Sequence, residues 1–577
     1  MSKFDVDRRR FLKAFVPSLG WGLAAPYVLS VTGCGGELDS SELTFGLTAD
    51  DGRVFDLSVA SGDPSQTGVA LWTHIRPSSF SPTTPLRFQV ATDAAFASLV
   101  LEGMVAAPAT GPSTDYTVKV DLEGRLGAGR GYFYRFVYGD VASRTGRCRT
   151  LPAAGAGAVK LGLLTCQDFT NGYYGAYRHV AADDSLDFLV HLGDFIYESV
   201  EDPRFQDLPF PDRQLTLPGG GTVALGLDDY RFLYRSYRSD PALQRALERH
   251  TLIAAPDDHE TANDCYWDYA RDTLGAPDHP FKDDVARLKR LKLDSQRAWL
   301  EYVPARVPFN ASATHPHQAS RVYREFNFGD LVRLCMLDTR TYRSPHPCGE
   351  GDFFHRYVPV GCGTLNAPTQ TILGSDQRTW LVDRLSAKGA TWKLLGNQTF
   401  LGRMSALPGG ALPINVDAWD GYAAERKWLS NELGRRQIKN LVVATGDLHS
   451  TIASYVKASY DNINPLDLGN LQGVEFMTPA VTSAALTEML GKGLGGAGSF
   501  TSGLGAAAVR LNNPHIRYFD SSRHGYSTLQ FTRSSCEWVA YAVDKGQDAS
   551  VAGKQAYARF RKDTNWPFLI EGSTRDL

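Results

Sequence analysis

The sequence predicts an α/β protein preceded by an all-β domain, and three observations predict it. From Phe45 to about Pro152, short runs of alternating apolar and polar residues are broken by Gly, Pro and Asp turns, the pattern of a β-sandwich. After an Ala/Gly stretch at 153–158, short and almost wholly apolar runs alternate with amphipathic segments, as in βα units around a buried sheet. Six of those runs end in a cluster of Asp, Asn, His, Cys or Arg, the edge of such a sheet where ligand-binding groups collect.

In chain order, the first segment is an address. Asp7 to Lys13 sets arginines ahead of Phe11-Leu12-Lys13 and a moderately apolar stretch from Ala14 to Val31, which resembles a twin-arginine export signal. It ends in Val31-Thr32-Gly33-Cys34-Gly35, which looks like a lipobox with Cys34 as the lipidated first mature residue; a plain signal peptide with an incidental cysteine is the alternative. Pro17, Pro26 and weak apolarity argue against a transmembrane helix. The expectation is export of a folded protein by the twin-arginine machinery, to a periplasmic or cell-surface location with a possible lipid anchor in the membrane.

The next expected unit is the β-sandwich at 45–152, with strands near Val59, Leu71, Phe88, Val118 and Phe133, and Trp72, Tyr132 and Tyr134 filling its core. The unit at 159–545 follows. Its strands are expected at Val159–Thr165, Leu186–Leu192, Leu252–Ala255, Leu331–Leu337, Thr391–Leu395 and Asn440–Thr445. Helices are expected over Asp283–Tyr302, from an N-cap at Ser375 to Gly389, and over Ala423–Arg436. The Gly/Ala/Ser-rich Leu486–Ala508 lacks periodicity and reads as a mobile loop. Two closing strands, around Thr528 and Trp538, precede a C-terminal unit at 546–577. There the basic Lys554–Lys562 reads as an amphipathic surface helix, or as a lid over an anionic site.

Composition narrows the class. A formal net charge of −3 without basic runs gives no reason to expect a nucleic-acid partner. Eight cysteines without a Cys-x-x-Cys pair are neither a disulfide framework nor a zinc module, although Cys348 and Cys362 share a Pro/Gly-rich loop and could pair in an oxidising compartment. Neither Gly-x-Ser-x-Gly nor a Walker loop is present.

The strand ends carry the chemistry. Gly193-Asp194 is followed by Tyr197, and Gly446-Asp447 by His449; either Gly-Asp alone reads equally well as a turn or cap. Together with Cys166, Asp258, His259 and Asn397 they offer thiolate, phenolate, imidazole, carboxylate and amide oxygen. Two anionic ligands including phenolate favour Fe3+ over Fe2+, and carboxylates with an amide oxygen suit a neighbouring Ca2+ or Mg2+. Asp194 could bridge the two. Such a pair lowers the pKa of a bound water, holds a phosphate and spreads charge in an in-line displacement. Cys166 as a nucleophile is the alternative, but no partner base stands out. His191, inside a strand, reads as a packed core histidine; His259 as functional or as a salt-bridged loop residue; Arg340 as a phosphate contact or an ordinary loop pair with Asp338. His515 and His524 stay open between ligand support and packing.

Cys166-Gln167, Gly193-Asp194-Phe195-Ile196-Tyr197, Asp257-Asp258-His259-Glu260, Leu337-Asp338-Thr339-Arg340-Thr341-Tyr342-Arg343, Gly396-Asn397-Gln398, Asp417-Ala418-Trp419-Asp420-Gly421-Tyr422, Gly446-Asp447-Leu448-His449-Ser450 and Gly473-Val474-Glu475-Phe476 resemble, in order, the PhoD-type alkaline phosphatase/phosphodiesterase family. The resemblance implies a metallophosphatase-type two-sheet sandwich flanked by helices, behind a fibronectin-like β-sandwich. It implies Fe3+ on Cys166, Asp194, Tyr197 and His449, with Ca2+ close by. Asp258, Asn397 and Asp447 would complete the second metal's shell, and His259 would contact phosphate or protonate the leaving group. Where the family carries a bulky residue before Asp257-Asp258-His259-Glu260, this chain has Pro256.

The expected function is an exported, monomeric, metal-dependent hydrolase of small phosphate esters, using an activated water on mono- or diesters. A phospholipase-D-like diesterase working at a membrane surface and a non-catalytic surface binding protein are the competing classes.

Overall fold

Two large sheets packed face to face organise the molecule. The computed structural model describes residues 47–577 except 205, 207–209, 352–355, 463, 465–466 and 494–500, so the export-signal and Cys34 expectations lie outside the described residues. In the first sheet Ala158–Leu164, Phe188–His191 and Thr251–Ala254 run parallel at the centre, with Gly525–Thr532, Ser535–Val543, Lys554–Asp563 and Leu569–Glu571 added antiparallel on one side. In the second, Val332–Met336, Trp392–Gly396, Leu441–Thr445 and Leu471–Met477 are parallel neighbours, flanked by Arg324–Phe328 on one edge and by Thr451–Lys457 and Ile516–Asp520 on the other.

The apolar runs are continuous because each strand has both faces covered. Leu161, Leu163, Phe188, Val190 and Ile253 meet Leu334, Leu394, Val442, Val474 and Phe476 between the sheets. Such side chains contribute about 1.5–3 kcal/mol each when fully buried. The outer face of the first sheet, with Leu164, Leu189 and Leu252, shares a core with residues of Gly175–Ala182, Leu227–Arg238, Pro241–Arg249 and Val285–Tyr302. The outer face of the second packs on Gly374–Ser386 and Ala423–Arg435. Both central strand sets therefore point their carboxyl ends toward one end of the sandwich.

Residues 47–152 form a β-sandwich that is not separate from this core. One layer is the sheet containing Leu86–Ala91, Leu99–Val105 and Gly131–Tyr138. The other layer, Val59–Gly62, Ala70–His74 and Thr117–Asp121, continues the first large sheet, because Gly62 pairs with Leu252. Tyr132 and Tyr134 fill the sandwich core. Trp72 does not. Alternation sends its neighbour Leu71 into the sandwich and Trp72 to the opposite face. There the Arg238 guanidinium lies 3.6 Å over its ring, and Nε1 donates to the Glu301 carbonyl at 2.8 Å.

Three other expectations fail locally. Lys554–Lys562 is a strand rather than a helix or lid, since Ala556, Ala558 and Phe560 alternate inward at period two. Within Leu486–Ala508, Leu486–Gly493 and the start of Thr501–Asn512 are helical, where the Ala run outweighs the glycines, and the stretch 494–500 lies outside the described residues. The helix expected to start after a Ser375 cap begins at Gly374, and Ser375 bonds Asp376 instead. Cys348 and Cys362 form a disulfide.

Candidate metal and phosphate site

At the shared carboxyl end, Ala158–Leu164 delivers Cys166, Phe188–His191 delivers Asp194, Tyr197 and Glu198, and Thr251–Ala254 delivers Asp257 to Glu260. From the facing sheet, Val332–Met336 delivers Arg340, Trp392–Gly396 delivers Asn397, and Leu441–Thr445 delivers Asp447 and His449. Two glycines make the convergence possible. A Cβ on Gly446 would stand 2.3 Å from Thr165 Oγ1, and one on Gly193, at φ +121°, 2.4 Å from the Asp257 Cβ. Cys166, Asp194, Asp447 and His449 all have positive φ, from 50° to 67°, a costly conformation for residues with a Cβ that gathers at functional sites.

The donor atoms of Cys166, Asp194 and His449 lie within 4.8 Å of one another, as do those of Asp194, Asp258 and His259, and those of Asp257, Asp258 and Asp447. Asp194 and Asp258 thus each belong to two groups. The Tyr197 hydroxyl closes the first group, 3.0 Å from His449 Nε2 and 3.3 Å from Asp194 Oδ2. Asn397 is fully buried; its Oδ1 accepts from Trp419 Nε1 at 3.2 Å, and its Nδ2 donates to the Thr399 carbonyl. The His449 imidazole is fixed by Nδ1 on the Ala484 carbonyl at 2.6 Å.

This first group fits a cation. Burial, then the Asp194 charge, pushes the Cys166 thiol well above its ordinary range, and the same two causes raise the Tyr197 phenol. Burial also drives the Asp194 carboxyl well up. Burial lowers His449 to about 4, leaving the neutral imidazole that a metal takes. Asp194 Oδ1 is buried without a hydrogen-bond partner, which for a carboxyl in a dry pocket is expensive unless a cation is present. Thiol, phenol, carboxyl and neutral imidazole around that oxygen are a donor set for a transition metal beside a harder ion.

The other side carries its own cation. Arg340, 1% exposed, donates through Nε to Asp257 at 2.5 Å, through Nη1 to both Asp417 oxygens at 2.8 and 2.9 Å, and through Nη2 to Asp447 at 2.9 Å. Arg343 and His346 also reach Asp417. Burial opposes ionisation of Asp417, but Arg340, Arg343 and His346 outweigh it and hold the carboxyl well below its usual range. Of the two readings of Arg340, the loop pair with Asp338 is present, the Arg340 amide donating to Asp338 Oδ1 at 3.2 Å, while its side chain engages acids of other loops. Every nitrogen of its guanidinium is on a carboxylate, and it acts as a positioning residue for Asp257, Asp417 and Asp447.

His259 stacks on Tyr197, ring centroids 4.0 Å apart, and its Nδ1 lies 2.7 Å from Glu198 Oε2. Burial disfavours its charge, yet Glu198, Asp258 and Asp194 together raise its pKa well above the ordinary value. Two residues in this set escaped the sequence reading in any specific role. Glu198 also accepts from the Asn263 amide at 2.6 Å. Glu260 accepts from the amides of Asp194, Phe195 and Asp257 at 3.1, 2.7 and 2.7 Å, tying the two aspartate loops together. Their only signal was adjacency, Glu198 to Tyr197 and Glu260 to His259. His191 is buried, its pKa lowered by burial to about 3, with Nε2 3.3 Å from Gln167 Oε1. His515 and His524 bond the Arg403 and Ser483 carbonyls.

Three comparisons bear on this arrangement. Residues 161–539 match the family model described as PhoD-like phosphatase, and residues 44–152 match the one described as its N-terminal domain. Alkaline phosphatase D of Bacillus subtilis (strain 168) is 30% identical over 499 residues, covering 84% of this chain and 76% of that protein. A solved structure titled "Structure of PhoD" superposes with a TM-score of 0.76 at 26% identity, over 91% of this chain and 93% of that one.

Proposed function

We propose, since this chain belongs to the PhoD-like phosphatase family and is a phosphatase-type hydrolase, that it hydrolyses phosphate mono- and diesters with Fe3+ and Ca2+ as cofactors. The observation that carries the metal dependence is the convergence of Cys166, Asp194 and His449, with Asp194 shared by a second donor group. Cys166, Asp194, Tyr197 and His449 would hold the iron. Asp258, Asn397 and Asp447 would face the calcium, with Asp194 between the two. Bound there, the cations would supply Lewis acidity toward the phosphoryl group and the attacking water.

The chain's own groups do the rest. Glu198 orients the His259 ring through Nδ1 and favours its protonated form, so His259 can give a proton from Nε2 to the leaving oxygen. Arg340 fixes the direction of the Asp447 carboxylate, and Glu260 fixes the backbone that carries Asp194. Burial of these groups strengthens every charge interaction in the site. Lys554–Lys562, read from the sequence as a basic helix, is a strand within the first sheet, which takes one feature away from the membrane-surface phospholipase reading; the lipid anchor, another, lies outside the described residues. Residues 1–34 as an export signal, a lipid anchor on Cys34, a periplasmic or cell-surface location and a monomeric state belong to the same reading.

The test is catalytic efficiency on an aryl phosphate monoester and the corresponding diester, using protein lacking residues 1–34 and loaded with iron and calcium. Turnover that disappears with chelation is expected, together with a visible absorption band lost in Tyr197→Phe. No turnover of either ester would reject the hydrolase reading in favour of a binding protein. A fully active but colourless wild type would reject iron.

A further inference from the structure

A second charged cleft lies behind the loop that carries Asn397. It has a volume of about 410 Å³ and is lined by the helix Ala423–Arg435, the turn after Thr451–Lys457 and the Gly409-Gly410 bend. Four cations, Arg403, Arg426, Lys427 and Lys457, face it against two carboxylates, Asp420 and Asp461. Only Asp420 is buried. Asp461, the partner of Arg403, is 82% exposed on its side chain and free to swing out.

The cations are held together although they repel. The Arg403 and Arg426 guanidiniums lie 5.8 and 5.3 Å from the Tyr460 ring centroid, where the aromatic face orients both. Arg426 uses Nη1 for Asp420 and the Leu401 and Gly402 carbonyls; among the described residues its Nε and Nη2 donate to nothing. Lys427 is exposed and likewise bonds nothing, and Arg403 Nε is buried without a partner. Lys457 has its ammonium on the Asn462 carbonyl; the donors left over on Arg426 and Lys427, with the excess positive charge, are what a compact oxyanion needs.

We infer that this cleft is a second anion site for a phosphoryl group, bound by Arg426, Lys427 and Lys457 with Arg403 behind them. The site is one loop away from the reaction. Asp420 Oδ2 accepts from the Met404 amide at 2.7 Å, and Trp419, its neighbour, bonds Asn397. The phosphoryl group is either free phosphate, the product, or a further phosphate of a longer phosphodiester substrate. The choice of source rests on the phosphate-ester reading; the existence of the site does not.

Calorimetric titration of the metal-loaded enzyme with inorganic phosphate tests it without turnover. Wild type is expected to bind two phosphates, Asp194→Asn only the one in the cleft, and Asp194→Asn with Lys427→Glu that one about tenfold or more weaker. Lys427→Glu and Lys457→Gln should each weaken the cleft site about tenfold or more, while kcat on a small aryl phosphate stays within about twofold. A single phosphate in wild type, or two retained with full affinity in both lysine variants, overturns the proposal. A KM about fivefold higher for oligomeric phosphodiesters but unchanged for a small diester would assign the site to substrate. Loss of the non-competitive part of phosphate inhibition, with both KM values unchanged, would assign it to product.

Discussion

The two sides of the active-site pocket bury charge in opposite ways. Around Arg340, four aspartates share one guanidinium, 1% exposed, whose every nitrogen is spent. Around Asp194 the fixed cationic group is the His259 imidazole, and it does not outweigh burial: Cys166, Tyr197 and Asp194 are all pushed toward their neutral forms, and one Asp194 carboxyl oxygen has no hydrogen-bond partner. Buried anions survive when a fixed cation is covalently part of the fold, or when an exchangeable one is admitted. One side is thus built for permanence and the other for loading. The two meet at Asp258, which belongs both to the donor group facing Arg340 and to the one it forms with Asp194 and His259.

The largest expected effect falls on the open side. Asp194→Asn should lower kcat/KM about 1,000-fold, the several kcal/mol that Lewis-acid assistance contributes, with iron and calcium both lost from elemental analysis. In chelator-treated protein the same variant should gain about 1–3 kcal/mol in denaturant unfolding, since the cost of burying and neutralising that carboxyl is removed. A variant that is equally unstable with and without metal would end the distinction between the two sides.

Arg340→Met should behave in reverse. Leaving Asp257, Asp417 and Asp447 without their partner is expected to cost about 3–5 kcal/mol, with or without metal. Arg340→Lys should not rescue, because a point charge cannot serve three carboxylates at fixed angles. If added calcium restored the stability of Arg340→Met, the guanidinium would be acting as a replaceable cation, and the comparison would need redrawing.

These contrasts mark what the sequence could carry. The strand ends were legible because a buried parallel strand is a continuous apolar run, and its terminus is a polar break one can see: Gly193-Asp194 and Gly446-Asp447 are such breaks. The pairing of Cys348 with Cys362 was legible as proximity within one loop. The role of Arg340 was not, because Asp417 lies 77 residues downstream and Asp447 107, and nothing local distinguishes a spent arginine from an open one. Trp72 was misplaced because alternation tells which residues share a face but not which face looks inward when both are covered. Lys554–Lys562 misled because a short run with apolar residues at 556, 558 and 560 and charges between them satisfies a helical stripe almost as well as a strand.

The smallest predicted effect concerns the rim of the closed side, where His346 ties the disulfide-bonded segment to the Arg340 network. Its Nδ1 lies 2.8 Å from Glu350 and its Nε2 2.9 Å from Asp417. Burial disfavours the imidazolium, but Glu350 and Asp417 outweigh it and raise the pKa to about 9. An unfolded histidine titrates near 6.5. With the folded pKa the higher one, the native state binds more protons between these values, so the contribution is complete below about pH 6.5 and is lost as pH rises through about 9. It amounts to about 3 kcal/mol at most, the linkage equivalent of the shift. Unfolding free energies measured from pH 6 to 9.5 should fall across that window in the wild type and lose this part of the slope in His346→Gln, the two proteins converging at the alkaline end. A constant difference across the range would mean that His346 acts by shape alone, and that the charge balance around Arg340 closes without it.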